Sequence, residues 1–198
     1  PRSTRHRSSA ASDVYKRQAP SPLVERISGM RERLFEASQS AAAAIGYSGA
    51  GTVEFLADDN GEFFFLEMNT RLQVEHPVTE ATTGLDLVEL QIQIADGGRL
   101  PARTPAVRGH AIEARLYAED PAANWQPQAG TVHRFRVPGI HTSFECQGRA
   151  GIRLDSGIVD GSVVSIHYDP MLAKVITHAQ DRPCLLYTSD AADERSSV

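Results

Sequence analysis

The sequence has few cysteines, no long apolar run and no excess of basic residues, and each shortage excludes a class of protein. Its 198 residues include two cysteines, Cys146 and Cys184. This small number of thiols argues against a disulfide framework and favours a reducing compartment. We therefore expect a cytoplasmic location, or a mitochondrial one if the source is eukaryotic. No stretch approaches the roughly 18–20 apolar residues that cross a bilayer. A net charge of −5 argues against nucleic acid as a partner.

Both ends of the chain resemble translated adapter sequence. Codons chosen for residues 184–194, read on the complementary strand, encode residues 8–18. Two unrelated protein tails would rarely satisfy that test. We therefore expect residues 1–18 and 184–198 not to be native, although the arginine-rich start superficially resembles a transit peptide. Cys184 then falls in a foreign tail, and Cys146 remains as a structural cysteine.

The rest of the chain predicts an α+β protein of two units. In residues 19–100, apolar residues recur at helical spacing between Ser21 and Gly46 and again between Asp86 and Gly97. The prolines of residues 101–108 predict a linker. Short alternating runs in residues 109–183 predict a mostly antiparallel unit. Its first strand, from His110 to Tyr117, places Glu113 and Arg115 on one face.

The most informative stretch of the chain, residues 63–80, begins as the second strand of a predicted hairpin. Two strand-like runs, residues 52–56 and 63–69, flank Asp59-Asn60-Gly61-Glu62, which is a strong turn signal. With Asn60 and Gly61 as the two turn residues, Glu54 lies opposite Glu67 and Thr52 lies opposite Asn69. Facing carboxylates repel each other, so the pair needs a shared proton, a cation or a metal ion. An all-oxygen set of two carboxylates and one amide suits Mg²⁺ or Mn²⁺; an exposed acidic hairpin is the alternative.

The alternation continues beyond the hairpin if the chain stays extended. Polar side chains then share one face, and apolar ones share the other, which we expect to pack on a core. The polar set is Glu67, Asn69, Arg71, Gln73 and Glu75, and the apolar set is Leu66, Met68, Leu72 and Val74.

These residues resemble a known family. Glu54, Glu67 and Asn69, followed by Arg71-Leu72-Gln73-Val74-Glu75-His76-Pro77-Val78-Thr79-Glu80, are similar to the signature of biotin carboxylase, the ATP-grasp component of acetyl-CoA, propionyl-CoA, methylcrotonyl-CoA and pyruvate carboxylases. Residues 109–120 and 167–174 resemble the C-terminal domain of the same family. The resemblance implies the C-terminal half of an ATP-grasp domain in residues 19–100 and a biotin carboxylase C-terminal domain in residues 109–183. The subfamily most similar is the α subunit of acyl-CoA carboxylases.

The resemblance implies a reaction in which ATP phosphorylates bicarbonate and the carboxyl group then passes to biotin on a carrier protein. Glu54 and Glu67 would bind Mg²⁺ or Mn²⁺ and the ATP phosphates, with Asn69 close to one ion. Leu56 would line the adenine pocket, although an ordinary core position explains it equally. Lys174 has no role in this assignment, and His76 is expected to pack or to orient its neighbours.

The other implied roles concern bicarbonate and biotin. Arg71, Gln73 and the backbone of Val74 would hold bicarbonate, and Glu75 would be its general base. Arg115 would stabilise the biotin ureido oxyanion. The structural alternatives are an ion pair between Arg71 and Glu75 and a salt bridge between Arg115 and Glu113.

Other implied parts of the enzyme are not found in this sequence. The family's glycine-rich loop, its ATP-contacting lysines and its N-terminal domain would precede residue 19, and no Met-Lys-Met biotinylation site occurs. The implied partners are a biotin carboxyl carrier, a carboxyltransferase and a second copy in a homodimer, and we expect the fragment alone to be inactive. The alternatives are a pyruvate or urea carboxylase, another ATP-grasp ligase, and a non-catalytic interaction module.

Overall fold

The computed structural model describes residues 16–145 and 149–186. Most of the two adapter-like tails lies outside these residues, and so does Cys146, so the structural role predicted for that cysteine is not addressed. The described part has mixed helices and antiparallel strands, as the sequence predicts. In this part, no helix combines the length and the apolar character needed to cross a membrane.

The first helical pattern forms two helices rather than the single helix that the sequence predicts. After strand β1 (Lys16–Ala19), helix α1 spans Pro22–Arg26 and helix α2 spans Met30–Ala44. Gly29, at the start of α2, has φ +73°, a left-handed conformation that side-chain-bearing residues rarely adopt. The helix therefore cannot run through this residue. Met30 is the buried residue of α2.

The hairpin has the predicted partners but a different turn. Strands β2 (Thr52–Ala57) and β3 (Phe63–Asn69) pair Glu54 with Glu67 and Thr52 with Asn69, which confirms both predicted pairs. The prediction of a two-residue turn is wrong, because Ala57 pairs with Phe63 and the Asp58 amide donates to the Glu62 carbonyl, which leaves a longer loop. A bulge after Glu54 absorbs the one-residue difference, so the acidic pair stays in register.

The stretch after β3 is not extended to its end. Helix α3 (His76–Thr83) replaces the last part of the predicted extended segment, with Pro77 in its first turn, where a missing N–H costs nothing. Helix α4 (Leu87–Ala95) follows. Its start near Asp86 is confirmed, because the Asp86 side chain accepts a hydrogen bond from the Glu89 amide at 2.8 Å.

The C-terminal region is built on a five-stranded sheet with strand order β1-β4-β11-β9-β8. Its strands after β1 are β4 (His110–Tyr117), β8 (Ile140–Thr142), β9 (Gly151–Ser156) and β11 (Met171–Ala179). Pairs of short strands complete the region: β5 (Glu119–Asp120) with β6 (Gln126–Pro127), and β7 (Gly130–Thr131) with β10 (Val163–Val164). Apart from the parallel β8–β9 pair, neighbouring strands are antiparallel, as predicted.

Helix α3 packs against this sheet and joins the two halves of the chain. Val78 and Ala81 of α3 form a buried cluster with Ala111 of β4. Ala111 lies on the same face of β4 as Glu113 and Arg115, because alternate residues of a strand share a face. The packing therefore brings the segment just before α3, residues 70–75, close to that face.

Candidate active site

Two carboxylates face each other at the open end of the hairpin. The Asn69 side-chain amide nitrogen donates to Glu54 Oε1 at 3.1 Å and to Glu67 Oε1 at 3.2 Å. One amide group thus bridges the two acids and offsets the repulsion that a facing pair creates. The Glu54 side chain is 30% exposed, and Glu67 is exposed, so both carboxylates can be reached from solvent.

The donor set at this end fits a hard cation. Among the described residues, no group of three or more His, Cys, Asp and Glu side chains is placed to hold a metal ion. A metal ion bound here would therefore use two carboxylates and the Asn69 amide, whose oxygen replaces its nitrogen when the group turns over. Such oxygen ligands, completed by water, suit Mg²⁺ or Mn²⁺ and not zinc.

The chain after β3 turns back, so that Gln73 joins the acidic pair. Its side-chain amide donates to Glu54 Oε1 at 2.8 Å. Arg17 also contacts both residues, as a donor to Gln73 Oε1 and at 3.7 Å from Glu54. We assign Arg17 no role, because it belongs to the segment that resembles adapter sequence.

A cavity of about 360 Å³ lies beside this turn, and Arg71, Gln73 and Glu75 all line it. The Arg71 side chain is exposed, and its Nη1 donates to the Leu72 carbonyl at 3.4 Å. Three of the residues predicted to act on bicarbonate therefore share one space. Val74, the fourth, is half-buried next to them.

Glu75 is paired with Arg115 from the other half of the chain. A Glu75 carboxylate oxygen lies 3.4 Å from Arg115 Nη1, and the two side chains are only 15% and 16% exposed. The Arg115 guanidinium also lies over the Tyr117 ring, 5.2 Å from its centre. Among the described residues, Glu75 thus forms its ion pair with Arg115 and not with Arg71, the alternative that the sequence offered.

Leu56 lies apart from these residues. It is 59% exposed and pairs with Phe64, which is 66% exposed. Leu66, which we expected to pack on a core, is 51% exposed, while Met68, Leu72 and Val74 are half-buried. One side of the hairpin thus presents apolar side chains to solvent.

The His76 side chain contacts the turn before helix α3 and a residue one turn further along that helix. Its Nδ1 lies 2.8 Å from the Gln73 carbonyl oxygen, and its Nε2 lies 3.9 Å from Glu80 Oε1. These contacts agree with the orienting role predicted for His76. His76 is the first residue of helix α3 and so does not continue the extended segment.

Sequence reasoning missed a layer of buried charge under the site. Arg153 of β9 donates to both oxygens of Asp155 at 2.8 Å and to Glu80 Oε2 of α3 at 2.9 Å. Lys174 of β11 lies 3.5 Å from Asp155 Oδ2 and donates to the Val74 carbonyl at 3.1 Å. These residues come from three separate parts of the sequence, so only the pairing of β9 with β11 and their contacts with residues 74–80 could have revealed the layer.

Glu113 is the one acid of this layer whose oxygens have no hydrogen-bond partner among the described residues, and it is fully buried. Burial raises the pKa of Glu113 to about 8, with the charges of Glu75 and Asp155 raising it further and those of Lys174 and Arg115 opposing the change. At neutral pH this carboxyl is therefore mostly protonated in the folded chain.

Replacing Glu113 by Gln should remove part of the pH dependence of stability. The folded wild type keeps a proton on Glu113 that the unfolded chain releases near pH 4.5. The protonated Glu113 therefore contributes fully to the free energy of unfolding below that pH, and this contribution is lost as pH rises toward about 8. We expect the difference in unfolding free energy between wild type and Glu113→Gln to change by about 3–5 kcal/mol from pH 4.5 to pH 8. Urea unfolding of this chain at several pH values measures it. Glu36→Gln, an exposed change on α2, should show no such trend; an equally flat difference for Glu113→Gln would contradict the raised pKa.

Two family models match the chain. The model described as "Carbamoyl-phosphate synthase L chain, ATP binding domain" matches residues 11–103, and the model described as "Biotin carboxylase C-terminal domain" matches residues 113–192. The interval between the two matches, residues 104–112, overlaps the predicted linker and the first residues of strand β4.

Curated relatives cover most of this chain. It is 47% identical over 171 residues to the methylcrotonoyl-CoA carboxylase subunit alpha, mitochondrial, of Rattus norvegicus, an alignment of 85% of this chain and 22% of that protein. It is 46% identical over 167 residues to biotin carboxylase 2 of Bacillus subtilis, covering 83% of this chain and 35% of that protein. The chain therefore spans about a fifth to a third of the length of these relatives.

A solved structure supports the same relationship. The biotin carboxylase domain dimer of Hydrogenobacter thermophilus 2-oxoglutarate carboxylase, in complex with MgADP, ADP and bicarbonate, superposes with a TM-score of 0.81 at 38% identity. The superposition covers 92% of this chain and 38% of that chain. The fold predicted from the sequence, part of an ATP-grasp domain followed by a biotin carboxylase C-terminal domain, is thereby confirmed.

Proposed function

This chain belongs to the biotin carboxylase family, and on that premise we propose that it carries the metal, bicarbonate and biotin ends of a biotin carboxylase active site. The reaction is the ATP- and bicarbonate-dependent carboxylation of biotin on a carrier protein. The main support is one continuous set of contacts: Glu67 and Glu54 are joined by Asn69, and Glu54 is joined to Gln73. Gln73 shares a cavity with Glu75, which is paired with Arg115.

Glu54, Glu67 and Asn69 are the proposed metal ligands. A bound Mg²⁺ or Mn²⁺ would supply neutralisation of the charge on the ATP phosphates during phosphoryl transfer. The two carboxylates keep a fixed separation because they are direct partners across the hairpin. Asn69 holds both of them in this structure and would rotate to present its oxygen to the ion.

Arg71, Gln73 and the Val74 backbone are the proposed bicarbonate ligands, and Glu75 is the proposed base. The guanidinium of Arg71 can hold two oxygens of a planar oxyanion, which a lysine does less well. Glu75 lines the same cavity and takes the bicarbonate proton onto its carboxylate. The bicarbonate oxygen then attacks the terminal phosphorus of ATP, ADP leaves, and carboxyphosphate forms.

Arg115 is proposed to act in the second step, in which the carboxyl group passes to N1′ of biotin. Its positive charge stabilises the negative charge that develops on the ureido oxygen. Its contact with Glu75 places the biotin end of the site next to the bicarbonate end. One arginine then serves both steps, since it orients the base in the first and the biotin in the second.

We also propose that the parts needed for turnover lie outside this chain. The relatives are three to five times longer than the matched region, which accounts for a hairpin with an exposed apolar side around Leu56 and Phe64. Leu56 is proposed to reach the adenine in the complete sheet. A biotin carrier, a carboxyltransferase and a second subunit are the proposed partners, and the chain alone should not turn over.

The proposed carboxyl acceptor downstream of biotin is an acyl-CoA, in the cytoplasm or in mitochondria. The similarity to a methylcrotonoyl-CoA carboxylase subunit named as mitochondrial supports this choice over pyruvate or urea. A non-catalytic module would not need the acidic pair, the cavity and Arg115 in one place.

The full-length protein should transfer label from ¹⁴C-bicarbonate to free biotin when ATP and Mg²⁺ are present. Removing Mg²⁺ with a chelator should abolish the transfer, because the ATP phosphates then lose their neutralising ion. The measurement is label that stays with biotin at alkaline pH and is released as CO₂ on acidification, because a carbamate loses its carboxyl group in acid. Hydrolysis of ATP without label in biotin would favour another ATP-grasp ligase, and no ATP chemistry would favour the interaction module.

A further inference from the structure

Three basic side chains of the C-terminal sheet contact the turn that carries the proposed base or helix α3, which follows that turn. Arg115 of β4 contacts the Glu75 carboxylate, Lys174 of β11 donates to the Val74 carbonyl, and Arg153 of β9 contacts Glu80. Arg115 has a proposed chemical role toward biotin. Lys174 is different, because its contact with residues 70–80 is made to the backbone.

Lys174 is held in place by its neighbours in the sheet. It pairs directly with Arg115 on β4 and with Asp155 on β9, so the three residues share one face. Its ammonium lies 3.5 Å from Asp155 Oδ2, and its side chain is 14% exposed. Burial opposes ionisation of Asp155, but the hydrogen bonds and charge of Arg153, with that of Lys174, lower the pKa of this carboxyl. Asp155 therefore remains an anion that fixes the ammonium.

The Val74 carbonyl belongs to the same planar peptide as the Glu75 amide. This peptide is trans, so its C=O and N–H point in opposite directions. A donor fixed on the carbonyl therefore sets the direction of the Glu75 N–H and of the Cα that carries the Glu75 side chain. The other end of the turn is closed by the His76 amide, which donates to the Gln73 carbonyl at 3.2 Å.

We propose that Lys174 is a positioning residue for the bicarbonate step, whose ammonium fixes the Val74–Glu75 peptide and thereby aims the base and the adjacent backbone at bicarbonate. This inference rests on the proposed function, since it assigns a task to a residue that touches the proposed site only through Val74. With this role, Lys174 makes the C-terminal sheet contribute to the activation of bicarbonate by ATP as well as to carboxyl transfer.

The test is the kinetics of bicarbonate-dependent ATP hydrolysis by the full-length enzyme. Lys174→Met removes the donor while Arg153 still pairs with Asp155, and we expect the KM for bicarbonate to rise about 10- to 100-fold. The KM for ATP should stay within about twofold, because Lys174 contacts no proposed ATP ligand. Lys174→Arg, which can still donate to the Val74 carbonyl, should recover most of the lost affinity.

A matched structural control lies on the same strand. Thr177 is 2% exposed and its hydroxyl donates to the Ile112 carbonyl at 3.5 Å, away from the turn. Thr177→Val should lower the melting temperature and leave the KM for bicarbonate unchanged. If Lys174→Met behaves like Thr177→Val, Lys174 is structural only and the inference fails. If Lys174→Met does not fold, Lys174→Gln, with a shorter neutral donor, must still show the selective rise in KM.

The experiment distinguishes failure of the proposed function from failure of the role of Lys174. A wild-type enzyme whose ATP hydrolysis ignores bicarbonate would overturn it before any variant is compared. A bicarbonate-dependent wild type with an unchanged KM in the Lys174 variants would overturn only the positioning role.

Discussion

Glu75→Gln is expected to lower bicarbonate-dependent ATP hydrolysis by the full-length enzyme by about 10²- to 10⁴-fold, the usual contribution of a general base. The amide has nearly the shape of the carboxylate but cannot take a proton. The ion pair with Arg115 at 3.4 Å becomes a weaker neutral contact in the variant. The loss should therefore fall on kcat, measured as ADP release at saturating bicarbonate.

The control for Glu75→Gln is Glu36→Gln, an equally conservative change at an exposed position of α2. It should leave the rate unchanged. A Glu75→Gln enzyme that keeps more than about a tenth of the wild-type kcat would mean that another group accepts the proton. His76 is the nearest alternative, since its ring is part of the same turn.

Arg115→Ala is expected to reduce label transfer from bicarbonate to biotin by about 10²- to 10³-fold, the cost of losing a donor to a developing oxyanion. Bicarbonate-dependent ATP hydrolysis should fall by a smaller factor, because in that step Arg115 only orients Glu75. Arg115→Lys should recover little of the transfer, since a lysine cannot reproduce the planar fork of the guanidinium. Both activities are measured in the same full-length preparations.

Arg136→Ala is the matched control for Arg115→Ala. Arg136 also forms an ion pair, with Asp160 at 2.9 Å, but its side chain is 65% exposed. Exposed ion pairs contribute little, so both activities should stay near wild type. If Arg115→Ala lowers hydrolysis and transfer by the same factor, the arginine acts through Glu75 alone and has no separate role toward biotin.

The sequence predicted the hairpin and its acidic pair because both depend on local signals. The turn chemistry of Asp59 to Glu62 and the alternation of β2 and β3 are contained in fewer than about 20 residues. The prediction of the turn itself was wrong by one residue, and the bulge after Glu54 compensated for it. The facing carboxylates were therefore predicted correctly even though the turn was not, because the bulge restores the register between the turn and Glu54.

The sequence predicted helix boundaries less well where a single glycine or proline decides the backbone conformation. Gly29 divides the first predicted helix, whose apolar repeat begins at Met30, because a left-handed backbone at this residue cannot continue an α-helix. The predicted extended segment reaches Pro77, yet Pro77 favours the first turn of a helix, and helix α3 begins at His76. Both errors are conflicts between a periodic pattern and a single residue with restricted dihedral angles.

The contacts across the two halves of the chain were beyond sequence reasoning. Glu75 and Arg115 were both singled out, but their pairing follows from α3 packing on β4 through Val78, Ala81 and Ala111. The sequence assigned Lys174 no role, because its place beside Arg115 depends on the pairing of β4 with β11, more than 50 residues apart. Long-range strand pairing leaves no local signal.

The measurement that tests the central claim most directly follows the oxygen atoms of bicarbonate. If the bicarbonate oxygen attacks the terminal phosphorus of ATP, that oxygen stays on phosphorus when the carboxyl group departs. The full-length enzyme, given ATP, biotin and freshly dissolved ¹⁸O-bicarbonate, should therefore release phosphate that carries one ¹⁸O atom for each carboxybiotin formed. Phosphate whose new oxygen comes only from water would contradict the account, because ATP would then be hydrolysed without activating bicarbonate.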